Sequence, residues 1–581
     1  MKKFFFLPLL FVVLACSDEN TPNKGGQLSQ GENDKIREYI YSRSQKKQAI
    51  DIKTTFGTNL KGIKLTGVNV SGADLSDIDF SGAEIARVDF SGCNLNGVNF
   101  QGATIQESDF SGVIFSNFIA AGADFQASVF NKSQFIDSDF SYCNFEEAEF
   151  TGTKIHNSKF DKANLSKVTV QDTIIENSNF QKANLIASIF VNVNIKNSAF
   201  FGVDMRKAKL TGVTSQNCSF ESSDLSEIAA LDGVFTEGDF SQIILDDSKF
   251  TGNTKFTSSL FPYASFKRAT FDKILISNCN MKDTVFTGLV MKSSRIQDTY
   301  LDNSKFIGAD IFNSYMDNVS ITNGDLDKAS LKDFKISNSN LSNIHSSNNI
   351  LSKGEFIKVN LTNSLFENYS IEDSSFKNSD LSKVIFLKSE IKRTDFTTSV
   401  LNKIALINSN LEEVVFNNSP ISNSQIREVN NIASVIINSP ISHTIIINNK
   451  GLANMVVIDS YNSMGEVMAS RDLSNLNMAY MDFSGLEAKQ VNFSSSILQS
   501  TKMVDAKFIS CVFKDVDFSN ADFSDSDFSG SEITNSNLKK TTLNGTNLSS
   551  TKLNNLDFRR AFVTNINIKN AELVSVSGLG N

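Results

Sequence analysis

The sequence predicts an all-β solenoid, and three observations carry that prediction. First, the stretch Gly72-Ala-Asp-Leu-Ser-Asp-Ile-Asp-Phe-Ser-Gly-Ala-Glu-Ile-Ala-Arg-Val-Asp-Phe90 reads as four tandem five-residue units, each ending in a large apolar residue: Leu75, Phe80, Ile85, Phe90. Second, a small or β-branched residue stands two places earlier in each unit (Ala73, Ile78, Ala83, Val88), with an acid between the two (Asp74, Asp79, Glu84, Asp89). Third, a period of five fits neither a helix nor a flat strand. It suits a backbone that turns a corner every five residues and points two side chains inward per unit. An internal repeat decides the architecture before any local signal is weighed.

The pattern resembles the pentapeptide-repeat proteins, whose unit is written A-(D/N)-L-x-x. Ala73-Asp74-Leu75, Ala163-Asn164-Leu165 and Ala183-Asn184-Leu185 match it, and Ala123-Asp124-Phe125 and Ala521-Asp522-Phe523 match it with Phe at the centre. Many other units put Ser, Thr, Val or Cys in the Ala slot. The resemblance covers about Leu60 to about Leu573 and implies a right-handed quadrilateral β-helix, four units per coil. Such a coil requires like side chains to stack every twenty residues. Phe80, Phe100, Phe140, Phe160, Phe180, Phe200, Phe220 and Phe240 form one such ladder, broken at Ala120. Phe90, Phe110, Phe130, Phe150 and Phe190 form a second on the opposite face, and the two intervening registers hold mostly Leu and Ile.

Residues 1–15 read as a signal peptide. Lys2 and Lys3 form a basic start, Phe4 to Leu14 an apolar core too short for a permanent membrane span. Val13-Leu14-Ala15-Cys16 resembles a bacterial lipobox, which implies cleavage before Cys16 and acyl chains on it. More than one chain gives stable anchoring. Asp18 and Glu19, just after the lipidation site, resemble the surface-export signal of Bacteroidota lipoproteins. The expected location is therefore the outer membrane, on the periplasmic or the cell-surface side. Residues 16–32, with Pro22, Gly25 and Gly26, read as a flexible tether.

Residues 33–55 are expected to form a short N-terminal helical cap. Asn33 or Asp34 would start the helix, with Ile36, Tyr39 and Ile40 on one face. Its cations Lys35, Arg37, Arg43, Lys46 and Lys47 invite a membrane or nucleic-acid reading. A polar cap over the first coil is the better account, since solenoids need one.

A first array spans 56–255. One extra residue at Thr251-Gly-Asn-Thr-Lys-Phe256 then shifts the phase, as a bulge does. A second array covers 256–456 with Phe356, Phe376, Phe396 and Phe416 on one ladder. The pattern degrades from Arg427 to Arg471, and 457–472 reads as an irregular joint. A third array covers 473–574, and 575–581 is a tail without an identifiable cap. Roughly twenty-five coils at ~4.8 Å each would span on the order of 120 Å. An exposed last coil could pair with a second copy, which makes a homodimer through that end an expectation.

The residues that carry chemistry fit the frame rather than a site. Cys93, Cys143, Cys218, Cys279 and Cys511 all fall in the inward small-residue slot, and their spacings place no two in adjacent coils. They are expected to be buried free thiols. His156, His345 and His443 have no second ligand at metal spacing. No nucleophile elbow, phosphate loop or metalloprotease motif appears. Catalysis, a cofactor and a metal are therefore not expected. The chain has no Trp, which disfavours a carbohydrate-stacking cleft except one built on Tyr.

Net charge is −9, and residues 17–55 carry seven cations and six acids, so the solenoid after Phe56 holds about −12. Some pentapeptide-repeat proteins mimic duplex DNA and occupy a topoisomerase, and that resemblance supplies the alternative function. The export signal opposes it, as do acids such as Asp517, Asp522, Asp527 and Glu532, which point to four different faces. Nucleic acid is not an expected partner. The leading expectation is a non-enzymatic, lipid-anchored rod of the envelope. It would act as a scaffold or a protein-binding or adhesion surface, with the irregular segment 427–471 as one candidate contact and its partner unspecified.

Overall fold

The computed structural model describes Gly26, residues 28–427, Val429, six short strands between 430 and 469, residues 473–474 and residues 483–579. It divides into two compact units, Met1–Asn164 and Leu165–Asn581. The signal peptide, Cys16, most of the tether and His443 lie outside the described residues, as does most of the irregular joint.

The first unit opens with helix α1, Gln30–Gln45. Its N-cap is Ser29, not the expected Asn33 or Asp34. The Ser29 hydroxyl accepts from the Glu32 N–H, and the Glu32 carboxylate accepts from the Ser29 N–H at 2.8 Å, a complete capping box. Asn33 does a different job. It is buried, and its Oδ1 accepts the N–H of Lys64 at 3.2 Å, an amide of the first coil. Ile36 and Ile40 are buried on the same side, as is Ile52 of the second helix, α2 (Ile52–Phe56). Tyr39 packs edge-on to Phe56 at 5.2 Å.

In the first unit, successive coils pair in parallel at a spacing of twenty residues, as in Lys64↔Glu84↔Thr104. Leu75 N–H donates to the Asn94 carbonyl at 3.0 Å, and Asn94 N–H donates back to the Ala73 carbonyl at 3.0 Å. The main chain thus satisfies its hydrogen bonds coil to coil, as a buried backbone must. The inward pair of each unit is the predicted one: Ala73, Leu75, Ile78 and Phe80 are all buried. Stacked rings fill the centre, with centroids 5.2 Å apart for Phe80–Phe100, 4.9 Å for Phe90–Phe110 and 5.4 Å for Phe140–Phe160. In the first unit, the residue two places after a core residue is left-handed, as at Gly82 (φ 64°), Asp77 (φ 60°) and Asn157 (φ 49°). Those are the corners, and Gly, Asn and Asp meet that requirement at least cost.

Departures from Ala in the small slot have a physical reason. A hydroxyl there can accept an N–H from the preceding coil and donate to a carbonyl, which Ala cannot. Ser128 Oγ accepts from Ser108 N–H at 3.1 Å and donates to Ile105 O at 3.2 Å. Cysteine plays the same part: Cys93 Sγ donates to Val70 O at 3.0 Å and Cys143 Sγ to Ala120 O at 2.9 Å.

The second unit repeats this plan. One side runs through Thr169–Gln171, Ile189–Val191 and Lys209–Thr211 to Asn430–Ile432; another runs from Ile174–Glu176 to Ser375–Lys377. Rings stack at 4.8 Å for Phe180–Phe200 and 5.1 Å for both Phe376–Phe396 and Phe396–Phe416. The extra residue near 252 is absorbed at a corner. Pairing changes from twenty residues to twenty-one at Phe235↔Phe256 and Phe250↔Phe271, then returns to twenty. Pro262 sits in a turn just beyond, where its missing donor is harmless.

Through the degraded stretch, the described strands still pair at coil spacing: Leu411↔Asn431, Ile421↔Ile441 and Ile426↔Ile446. Val435–Ile437 and Ile445–Ile447 are therefore coil strands. Val435↔Val456 is a second step of twenty-one. The last described coils keep the pattern but bury it less: at core positions, Val563 and Ile568 are only partly buried and Leu573 is 46% exposed.

Candidate functional site

The interior gives no reactive centre among the described residues. All five described cysteines are free and buried. Burial pushes Cys93 and Cys143 up to about 12, and Cys279 and Cys511 up to about 11. His156 and His345 are exposed and lie in different units. No group of three or more His, Cys, Asp or Glu able to hold a metal occurs among the described residues. No helix there is long and apolar enough to cross a membrane. One cavity of about 50 Å³ lies within the second unit, lined by core side chains such as Phe306, Leu326, Leu341 and Phe366. Next to it, Tyr369 is buried with its hydroxyl on Ser346 Oγ and on Asn349 Nδ2 at 2.8 Å. Ser346 holds a core position where its neighbours carry apolar residues, so the tyrosine fills space that a serine leaves.

The outer surface is more informative. Between residues 278 and 363, one side of the second unit carries hydrogen-bonding groups of low net charge. At its first corner stand Asn278, Asp298, Asn318 and Asn338, all left-handed with φ between 50° and 54°. Asn318 Nδ2 donates to Asp298 Oδ1 at 2.8 Å and Asn278 Nδ2 to Ser258 Oγ at 3.1 Å. Two residues on, Asn280, Tyr300, Ser320, Asn340 and Asn360 stand one above another in register. Thr299 and Val319 are buried between the two columns.

The columns form the walls of a trough of about 840 Å³ that crosses successive coils. The strands Arg295–Tyr300 and Tyr315–Ser320 run unbroken through this corner. Tyr300 is 58% exposed, and the Lys282 ammonium lies 5.5 Å from its ring centre. Beside the trough, Asp302 Oδ1 accepts from the Ser320 hydroxyl, the Thr322 N–H at 3.0 Å and the Thr322 hydroxyl at 2.6 Å. Burial pushes this carboxyl up, but the Ser320 and Thr322 hydrogen bonds outweigh it and hold its pKa below the usual value.

A different side of the same unit carries charge instead. Arg393 bridges Glu372 and Asp373, and Lys392 lies 3.5 Å from Glu412 and 3.8 Å from Glu390. Such exposed pairs contribute little to stability, but they leave that surface with alternating charge where the trough has amides and hydroxyls. Sequence reasoning placed neither surface. The twenty-residue period assigns columns, yet which column stands beside which corner follows only once the coil is built.

Residues 57–82, 78–117, 128–167, 178–214 and 531–570 match the family model described as pentapeptide repeats (8 copies), and 473–548 match the one described as a pentapeptide repeat region. No curated protein matches the chain. Among solved structures, it is similar to HetL from the cyanobacterium Nostoc sp. strain PCC 7120, a pentapeptide-repeat protein involved in heterocyst differentiation regulation. Identity is 13%, over 41% of this chain and 85% of that one, with a TM-score of 0.17. Full-length QnrB1, a plasmid-mediated fluoroquinolone resistance protein, is 14% identical over 36% of this chain and 94% of that one, TM-score 0.17. Rfr23 from the cyanobacterium Cyanothece 51142 is 20% identical over 22% of this chain and 85% of that one, TM-score 0.16. At these scores none of the three likenesses carries an argument about what this chain does.

Proposed function

The chain belongs to the pentapeptide-repeat family, and from that premise we propose a non-enzymatic, lipid-anchored β-solenoid of the cell envelope that presents a polar protein-binding or adhesion surface. The observation that supports this reading most is the division of labour along each coil. Apolar residues fill the inside, and the outward columns carry Asn, Asp, Ser and Thr in ladders such as Asn278–Asp298–Asn318–Asn338. Such ladders extend over many coils without converging on a reactive group, which suits recognition or scaffolding better than chemistry. The lipobox-like Val13-Leu14-Ala15-Cys16 supports anchoring through acylated Cys16, and Asp18-Glu19 supports an outer-membrane location.

Metabolic labelling with a palmitate analogue tests the anchor: the native chain is expected to take up label and Cys16→Ala to lose it. Unchanged labelling of the variant would remove the proposal. Proteolysis of intact cells, before and after outer-membrane disruption, then separates a surface shaft from a periplasmic scaffold. A second copy pairing through the exposed C-terminal strand Glu572–Ser577 is part of the proposal, and light scattering showing only monomer would delete that part. The acidic DNA-mimic alternative gains less support. Glu532 pairs with Lys552 at 3.4 Å, and Asp517, Asp522 and Asp527 stand in separate columns. A topoisomerase supercoiling assay left unchanged by the mature chain is the expected result.

A further inference from the structure

We propose that the trough between the Asn278 and Asn280 columns binds a neutral polysaccharide strand lying across successive coils, with Tyr300 as its stacking platform. The inference rests on reading this side as a binding surface and does not depend on the anchor.

Shape comes first. A concavity of about 840 Å³ falls in the size range of ligand sites. It runs from coil to coil rather than ending in a pit, so its natural occupant is extended. Coils advance by ~4.8 Å, comparable to one equatorially linked pyranose ring, so a sugar chain can meet equivalent groups at each step.

Chemistry narrows the occupant. Asn340 and Asn360, which line the trough, each use Oδ1 to accept a backbone N–H two residues on, from Ser342 at 3.2 Å and Thr362 at 3.0 Å. Their orientation is thereby fixed, and their Nδ2 groups meet no acceptor among the described residues. The result is two oriented amide donors on successive coils, Asn340 and Asn360, matched to hydroxyl and ring oxygens. Asp298 and Lys358 are the only charged residues lining the trough, one of each sign. A polyanion would need a row of cations, and an apolar peptide would need exposed anchors, whereas the floor residues Thr299 and Val319 are buried. Tyr300 is 58% exposed and supplies a ring, flanked by the Lys282 ammonium 5.5 Å from its centre, for the C–H side of a sugar and a hydroxyl at its tip.

The test is titration calorimetry of the full mature chain with cellohexaose, mannohexaose, xylohexaose and chitohexaose, with alginate as the anionic control. At least one neutral oligosaccharide is expected to bind. Tyr300→Ala should weaken it roughly tenfold, and Tyr300→Phe should keep most of the affinity. Tyr263→Ala, an exposed tyrosine outside the trough, should leave it unchanged. Binding of none of the four, binding of alginate alone, or equal affinity in Tyr300→Ala would each overturn the inference. A chain that is labelled at Cys16 yet ignores all four neutral oligosaccharides would lose this inference and keep its anchor.

Discussion

Phe118 occupies the stacking space that Ala120 leaves open. Its ring lies 5.6 Å from Phe100 and 5.6 Å from Phe140, nearly parallel to the latter, although it grows from the slot that normally holds a small residue. The ladder that breaks at Ala120 in sequence is therefore continuous in space. Phe118→Ala should cost about 3–5 kcal/mol by opening a cavity, and Ala120→Phe alone about 1–3 kcal/mol by overpacking. The double variant, which restores one large and one small side chain, should recover most of the loss. Amide exchange in the neighbouring coils is the appropriate readout, because long repeat arrays do not unfold in one step.

The buried thiols give a second prediction. With Cys93 and Cys143 pushed to about 12 and Cys279 and Cys511 to about 11, almost no thiolate forms at mildly alkaline pH. In a Cys16→Ala chain, iodoacetamide should label none of the five cysteines until denaturant is added. Rapid labelling of any one in the native chain would contradict its place in the core.

Asp302 links stability to pH. Its folded pKa is depressed, so its contribution is fully present above the unfolded value of about 3.9 and is lost as pH falls through the folded value. Exchange protection of the Thr322 amide, which donates to Asp302, should drop in that acid window. In Asp302→Asn the same amide should be less protected at neutral pH and show little further loss on acidification.

Corner glycines should differ in sensitivity according to their surroundings. Gly82 has φ 64° and open space around an added Cβ, so Gly82→Ala should cost about 1 kcal/mol, the backbone penalty alone. At Gly252 (φ 73°), a Cβ would come within 2.8 Å of Leu231 Cδ1 and closer still to Asp232. Gly252→Ala should cost more, and thermal melts of the two variants would check the order.

How much of this was legible follows from how each feature is encoded. The core was legible because every coil repeats the same geometry, so Phe140, Phe160 and their neighbours announce it in register. The capping box was also written in the sequence as Ser29-x-x-Glu32, but Gly31 inside it argues against a helix start, and Asn33 looked the better cap. Its true role, holding the Lys64 amide, joins residues 31 apart and has no local signature. Phe118 and Tyr369 were hidden differently. Each puts a large ring in a small slot, and only the neighbouring vacancy at Ala120 or Ser346 makes sense of it. The outward slot of Tyr300 follows from its buried neighbours Thr299 and Leu301, but that its column stands beside the Asp298 corner and forms a trough follows only from the built coil.

One consequence of the coil-to-coil pairing concerns the growth of such a chain. Where partners stand twenty residues apart, as from Thr169 through Lys209 to Lys249, removing one stretch of twenty leaves both cut ends facing the partners they would have had anyway. Duplicating one does the same. Genes of this kind can lengthen or shorten by recombination in steps of sixty nucleotides while every surviving amide keeps an acceptor.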